Sequence, residues 1–168
     1  MEETLKVINR MKADRILQDY AIGGAIAAMF YIQPFTTEDL DIFFSVSSTG
    51  TALDLLEPIY RYLEKAGYHA EGAMIKIEGW PVQFLPLYSP LIEEAVEHAN
   101  ETVVSGIPVR VMAAEHLVAI MLDTGRPKDY ARIASFLEAG SLDMSRLQDI
   151  LSRHGLDAKW ENNRSRFS

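Results

Sequence analysis

Thr37-Glu38-Asp39-Leu40-Asp41-Ile42-Phe43-Phe44-Ser45-Val46 is the stretch on which the reading of this chain turns. Leu40 to Val46 is rich in β-forming residues and predicts a strand. Side chains two apart in a strand share a face, so Asp39 and Asp41 project together while Leu40 and Ile42 enter the core. Paired carboxylates repel unless a cation sits between them. Mg²⁺ suits such a pair, because it is a hard ion that takes oxygen ligands from one or two carboxylates and from substrate phosphates. By itself, an Asp-x-Asp in an acidic chain also reads as a solvated strand end.

Upstream, Tyr20-Ala21-Ile22 leads into Gly23-Gly24 and then a small, apolar run from Ala25 to Tyr31. This predicts a short buried strand, a tight turn and a short buried helix. Two glycines at that turn allow close backbone approach, and a helix start presents free N–H groups to an anion. Close packing of a helix rich in Ala25, Ala27 and Ala28 against a sheet explains the glycines equally well. A phosphate cradle one helix before an acidic pair on a neighbouring strand is a triphosphate-plus-Mg²⁺ arrangement.

Further out, residues 2–18 carry Leu5, Val7, Ile8, Met11, Ile16 and Leu17 at helical spacing, as do Leu53, Leu55, Leu56, Ile59, Tyr60 and Leu63 within 52–66. Met74 to Ile77 and Val82 to Leu85 predict a hairpin across Glu78-Gly79-Trp80-Pro81. A helix over 91–99 and strands over 102–104 and 109–111 follow. Three helices close the chain, over 114–123, 127–138 and 143–153, with Pro127 in a first turn and Gly140 and Gly155 as stops. The expected fold is α+β, a mixed β-sheet flanked by helices. Residues 1–112 are read as the α/β core and 113–168 as a helical C-terminal part packed on it in one compact domain.

The chain has 168 residues, no cysteine and a formal charge of −8. Without cysteine there are no disulfides, no thiolate chemistry and no sulfur-ligated zinc, which is compatible with a reducing cytosol and a cytoplasmic protein. The longest apolar run, Ala21 to Ile32, falls short of the roughly 20 residues that span a bilayer, so no membrane partner is expected. The start, Met-Glu-Glu, does not read as a secretory signal. Twelve acidic residues between Glu38 and Glu101 face only Arg61, Lys65 and Lys76, and the overall field repels a polyanion except at a local patch. Glu93, Glu94 and Glu97 read as a solvated helix face. His69, His98, His116 and His154 lack metal-ligand spacing, and His116 reads as a surface or packing residue. Tyr20, Tyr31 and Trp80 suit either base stacking or the core.

Ile22-Gly23-Gly24, a short helix and Thr37-Glu38-Asp39-Leu40-Asp41-Ile42 together resemble the signature of the nucleotidyltransferase superfamily, with its polymerase-β-like fold. Glu115-His116-Leu117-Val118-Ala119 through Gly125-Arg126-Pro127-Lys128-Asp129 is similar to the C-terminal motif of a bacterial branch related to abortive-infection toxin nucleotidyltransferases. The likeness covers about residues 15 to 140. It implies a nucleoside triphosphate bound with Mg²⁺ and transfer of its nucleotidyl group to a hydroxyl of an acceptor, whether tRNA, protein or small molecule. It further implies that Asp39 and Asp41 hold the metal and that Gly23 and Gly24 meet the phosphates. Arg126 and Lys128 would steady phosphate charge, with Asp129 orienting them, although Asp129 also reads simply as an acid at a helix start. A cognate toxin or antitoxin is the partner the branch suggests.

Two residues depart from the pattern. Gln83 stands where the superfamily places its third catalytic carboxylate, and Met121 where the branch usually has a lysine. An amide oxygen can ligate a metal but cannot take a proton from an attacking hydroxyl. The second expectation is therefore a catalytically weakened relative that acts by binding; Glu78 is the acid nearest to Gln83 in sequence.

Overall fold

The computed structural model describes residues 1–167. Helix α1 (Glu2–Ala13) buries Leu5, Ile8 and Met11 on one stripe. Its periodicity predicts a helix to residue 18, but the helix stops at Asp14. Arg15 takes φ +60°, and Leu17 enters the core from the loop beyond. Strand β1 (Asp19–Ile22), helix α2 (Gly24–Ala28), strand β2 (Leu40–Ser45) and helix α3 (Ala52–Lys65) follow. Thr51 starts α3 with a capping box: its Oγ1 accepts from the Asp54 N–H, and the Asp54 carboxylate accepts from the Thr51 N–H.

Strands β3 (Ala70–Glu71), β4 (Met74–Ile77) and β5 (Trp80–Pro86) come next. The β4–β5 connection is two residues rather than four, because Ile77 pairs with Trp80. Glu78 (φ 49°) and Gly79 (φ 87°) are both left-handed, as a two-residue turn that matches strand twist requires. Pro81 consequently lies inside β5, just ahead of Val82 where pairing with β2 begins, so its missing N–H breaks no rung with β2. Helix α4 (Pro90–Glu97), strands β6 (Asn100–Val104) and β7 (Ile107–Val111), and helices α5 (Ala114–Thr124), α6 (Pro127–Ala139) and α7 (Met144–Arg153) match the periodicity within a few residues. A further helix, α8 (Asp157–Asn163), extends the chain beyond the three closing helices expected.

The strands form one mixed sheet in the order β3-β4-β5-β2-β1-β7-β6. β2 is central, antiparallel to β1 and parallel to β5. Register then sorts the side chains into two faces. Tyr20 and Ile22 share one face with Leu40, Ile42, Phe44, Val82 and Phe84, all buried. Helix α1 covers that face: Tyr20 donates to Asn9 Oδ1 (2.7 Å), and Thr4 donates to the Ile77 carbonyl (3.1 Å). Asp41, Phe43, Gln83 and Leu85 point the other way, toward α5. One cluster of buried side chains runs through the sheet, α1 and α4 into α5, α6 and α7, so the helical C-terminal part shares the core of the sheet.

Candidate functional site

The β2–β5 register seats Asp41 directly beside Gln83. Both face a cleft that is closed by the start of α2 and by α5 and α6; Asp39, just before β2, lines the same cleft. Gly24 lines it too, at φ +58°, and a Cβ there would collide with the Asp41 carboxylate. The glycine is required because the start of α2 lies directly against that acid. Gly23, expected at the phosphates, is placed otherwise. It is buried, a Cβ on it would strike the Phe43 ring, and its N–H donates to the Asp41 carbonyl (3.0 Å), so it has no N–H left for a phosphate.

The acids are under-satisfied. The Asp41 carboxylate accepts no hydrogen bond among the described residues, and burial, aided by the charge of Asp39, pushes it up to about 6 against the pull of Arg126, Lys128 and Arg132. Asp39 accepts only from Thr37 Oγ1 (3.3 Å). Three cations form the facing wall. Asp129, fully buried, accepts from the Arg126 N–H (3.1 Å), Nε (2.7 Å) and Nη2 (3.1 Å), which fixes the guanidinium at the cleft and raises its pKa. Thus Asp129 both caps α6 and orients Arg126. Lys128 makes no hydrogen bond or ion pair among the described residues, and Arg132 lies over the Phe35 ring at 4.8 Å.

Among the described residues no three of His, Cys, Asp and Glu gather as a metal cluster. Beside Glu38 in the charged part and Asp129, which is spent on Arg126, the cleft offers the Asp39 and Asp41 carboxylates and the Gln83 amide. That donor set, all oxygen, with an unpartnered acid at its centre, fits a hard cation that completes its shell with phosphate and water.

The cleft is two confluent chambers that share Gly24, Asp41, Gln83, Arg126 and Arg132. Thr36, Thr37, Glu38, Asp39 and Lys128 line the charged one. Phe43, Leu85, Met112, Leu117, Ile120 and Met121 line the other, with Tyr88 at its rim, 66% exposed. Sequence reasoning missed Arg132 and Tyr88. Arg132 is four residues after Lys128 on a helix, a spacing that puts both on one face, whereas nothing around Tyr88 marked it. Tyr20, Tyr31 and Trp80 do not line either chamber: Tyr20 donates to Asn9, and Tyr31 donates to the Met112 carbonyl (3.0 Å). Glu78 sits at the β4–β5 turn, hydrogen-bonded by Tyr68, and does not line the cleft. Glu94, expected in solvent, is largely buried and ion-paired, and His116 is a packed residue, 2% exposed.

No family model and no curated protein matches the chain in sequence. Solved structures do match it in shape. The antibiotic-resistance factor ANT(2'')-Ia in solution superposes with a TM-score of 0.57 at 19% identity, over 98% of this chain and 97% of that one. The same factor in complex with adenylyl-2''-tobramycin gives 0.54 at 20% identity, over 93% and 98%. An antigenic nucleotidyltransferase-like protein from Paracoccidioides brasiliensis gives 0.57 at 15%, over 99% and 92%. With nearly the whole length of both chains matched, the protein shares the fold of these structures, that of a nucleotidyltransferase-like protein among them.

Proposed function

We propose that the protein binds a nucleoside triphosphate with Mg²⁺ in this cleft and transfers the nucleotidyl group to a hydroxyl of an acceptor. The observation that carries the reading is the facing of two under-satisfied carboxylates, Asp39 and Asp41, by the cationic wall of Arg126, Lys128 and Arg132. The solved neighbour whose complex contains an adenylylated sugar antibiotic supports the reaction class.

Asp39 and Asp41, with the Gln83 amide oxygen beside them, would hold the metal. A Mg²⁺ held there would supply neutralisation of the charge that develops on the leaving pyrophosphate. Arg126, immobilised by Asp129, and the exposed Lys128 would take the outer phosphates, and the unpaired N–H groups at the start of α2 lie beside them at Gly24 and Ala25. The side chain at 83 positions the acceptor by hydrogen bonding but takes no proton from it. Absence of a positioned base typically costs about 10² to 10⁴ in rate. That observation favours a second reading, a nucleotide-binding relative with little turnover whose output is a partner protein, such as a cognate toxin or antitoxin.

Thermal unfolding with each triphosphate and Mg²⁺ tests the first step. A stabilisation of about 2.7 kcal/mol is expected at a hundredfold excess over the dissociation constant. Asp39→Asn with Asp41→Asn should abolish it without unfolding the protein; melting indifferent to every triphosphate would remove the reading. Labelled nucleotide appearing on a cell-lysate component would separate transfer from binding alone.

A further inference from the structure

The two chambers share Asp41, Gln83, Arg126 and Arg132 at their junction, and it is the walls beyond the junction, charged in one and apolar in the other, that restrict what each can hold. The charged chamber takes the pyrophosphate end, because Lys128 and the shared Arg126 and Arg132 are its cations. In phosphoryl-type transfer the attacking and leaving oxygens lie roughly in line through the phosphorus. With the reacting phosphorus at the Asp41–Gln83 junction, the line running away from the charged chamber enters the apolar one. That chamber has a volume of about 250 Å³, room for one ring-sized group, between Phe43 and Leu85 on the sheet and Leu117, Ile120 and Met121 on α5. Its only carboxylates are Asp41, which faces the metal position, and Asp129, which is spent on Arg126. No acid remains there to receive an ammonium group, so a polyamine sugar such as tobramycin does not suit it.

Gln83 adds a second, independent restriction. With Asp41 engaged in holding the metal and an amide at 83, the hydroxyl must lose its proton with little help. An aromatic hydroxyl ionises near pH 10, well below an aliphatic alcohol, and needs the least.

We propose that the acceptor is a phenol, its ring seated in the apolar chamber and its hydroxyl presented beside Asp41 and Gln83. This rests on the nucleotidyl-transfer reading above. The phenolic oxygen bonds to the α-phosphorus, the bond from that phosphorus to pyrophosphate breaks with its electron pair leaving on pyrophosphate, and the phenolic proton goes to water. The ring slides against Met112 and Met121, soft side chains that adapt to its shape.

The test incubates the protein with each of four ribonucleoside triphosphates, Mg²⁺ and one of four probes: 4-ethylphenol, N-acetyltyrosine amide, 2-phenylethanol or tobramycin. Products are read by mass spectrometry, and triphosphate affinity is measured separately. A phenolic nucleotidyl ester should form at least tenfold faster than the 2-phenylethanol ester, with none on tobramycin. Which of the two phenols is faster distinguishes a free small phenol from a tyrosyl side chain. Ile120→Glu, at a partly exposed wall position, should cut phenol transfer at least tenfold with triphosphate affinity unchanged. Leu85→Glu, from the opposite wall, should do the same if Ile120→Glu fails to fold. Gln83→Glu should close the gap between phenol and 2-phenylethanol. Equal rates for the two hydroxyls, product on tobramycin, or triphosphate bound without phenolic product would overturn this inference and leave the triphosphate reading standing. Loss of triphosphate affinity in Ile120→Glu would assign the chamber to the nucleobase and also overturn it. Failure of the wild type to bind any triphosphate would remove the underlying reading itself.

Discussion

Asp41 on β2 and Glu94 on α4 are both largely withdrawn from water, and their surroundings are opposite. Glu94 accepts from Arg153 through Nη1 and Nη2, from His116 Nε2 (3.0 Å) and from His154 Nε2 (2.7 Å). Since a carboxylate only accepts, both histidines carry their proton on Nε2. The Arg153 guanidinium, followed by the two imidazoles, holds the Glu94 carboxyl far below the usual range. One side chain thereby ties α4 to α5 and to the end of α7. Asp41 has no such donors, and burial lifts it to about 6. A saturated carboxylate has its valence fully used in holding helices together. An unsaturated one keeps its valence for something that arrives from outside, and so marks a site.

Breaking the saturated side should have the largest effect. Glu94→Ala leaves the half-exposed Arg153 with Asp149 alone and leaves His116, only 2% exposed, without its one hydrogen-bond partner among the described residues. A loss of about 2 to 3 kcal/mol in urea unfolding is expected from the buried, unsatisfied imidazole. The unsaturated side should respond with the opposite sign. Asp41→Asn removes a charge that burial and Asp39 both disfavour, so in metal-free buffer at pH 7 the variant should be more stable than wild type by about 1 to 3 kcal/mol. A destabilisation there would mean that Asp41 has a partner of its own.

Acid sharpens the comparison. Burial holds His116 below 6.5, so on acidification the unfolded chain takes that proton first and stability falls from about pH 6.5 downward. Asp41 works against this: its native carboxyl protonates near 6, ahead of the unfolded value of 3.8, and the folded state gains between those limits as pH drops. Removing that offset, Asp41→Asn should lose stability more steeply between pH 7 and 5 than wild type does. Glu94, depressed in the fold, keeps its contribution down to about 4.5 and loses it only below, a step that Glu94→Gln should lack. The smallest expected effect is that of His154→Gln, which keeps a donor in reach of Glu94 and should change stability by no more than about 1 kcal/mol in the same titration.

Much of the sheet's centre was legible from sequence because burial on one face enforces a period of two, as at Leu40, Ile42 and Phe44. Helices α3, α5 and α6 were legible for the same kind of reason, with Pro127 and Gly140 marking the two ends of α6. The rest depends on contacts far apart in the chain. Nothing local says that α1 ends at Ala13 instead of carrying Leu17 on its stripe, and β3 is two residues long, visible only through its pairing with β4. Asp39 and Asp41 were legible as a pair from strand alternation, whereas Gln83 joined them only through the resemblance to the superfamily, because the pairing of β2 with β5 is not written locally. Glu94 was misread because its partners, His116, Arg153 and His154, lie 22 to 60 residues away. Gly23 and Gly24 look equivalent as letters, yet one serves packing and the other faces the cleft.

The rung that seats residue 83 beside Asp41 has an evolutionary consequence. Backbone pairing between β2 and β5 sets the position, and the side chain at 83 takes no part in the core, so acid and amide can exchange there with little harm to the scaffold. Glutamine and glutamate codons differ at a single base. A lineage built on this frame can exchange acid for amide beside Asp41 by one point mutation while the fold is inherited intact.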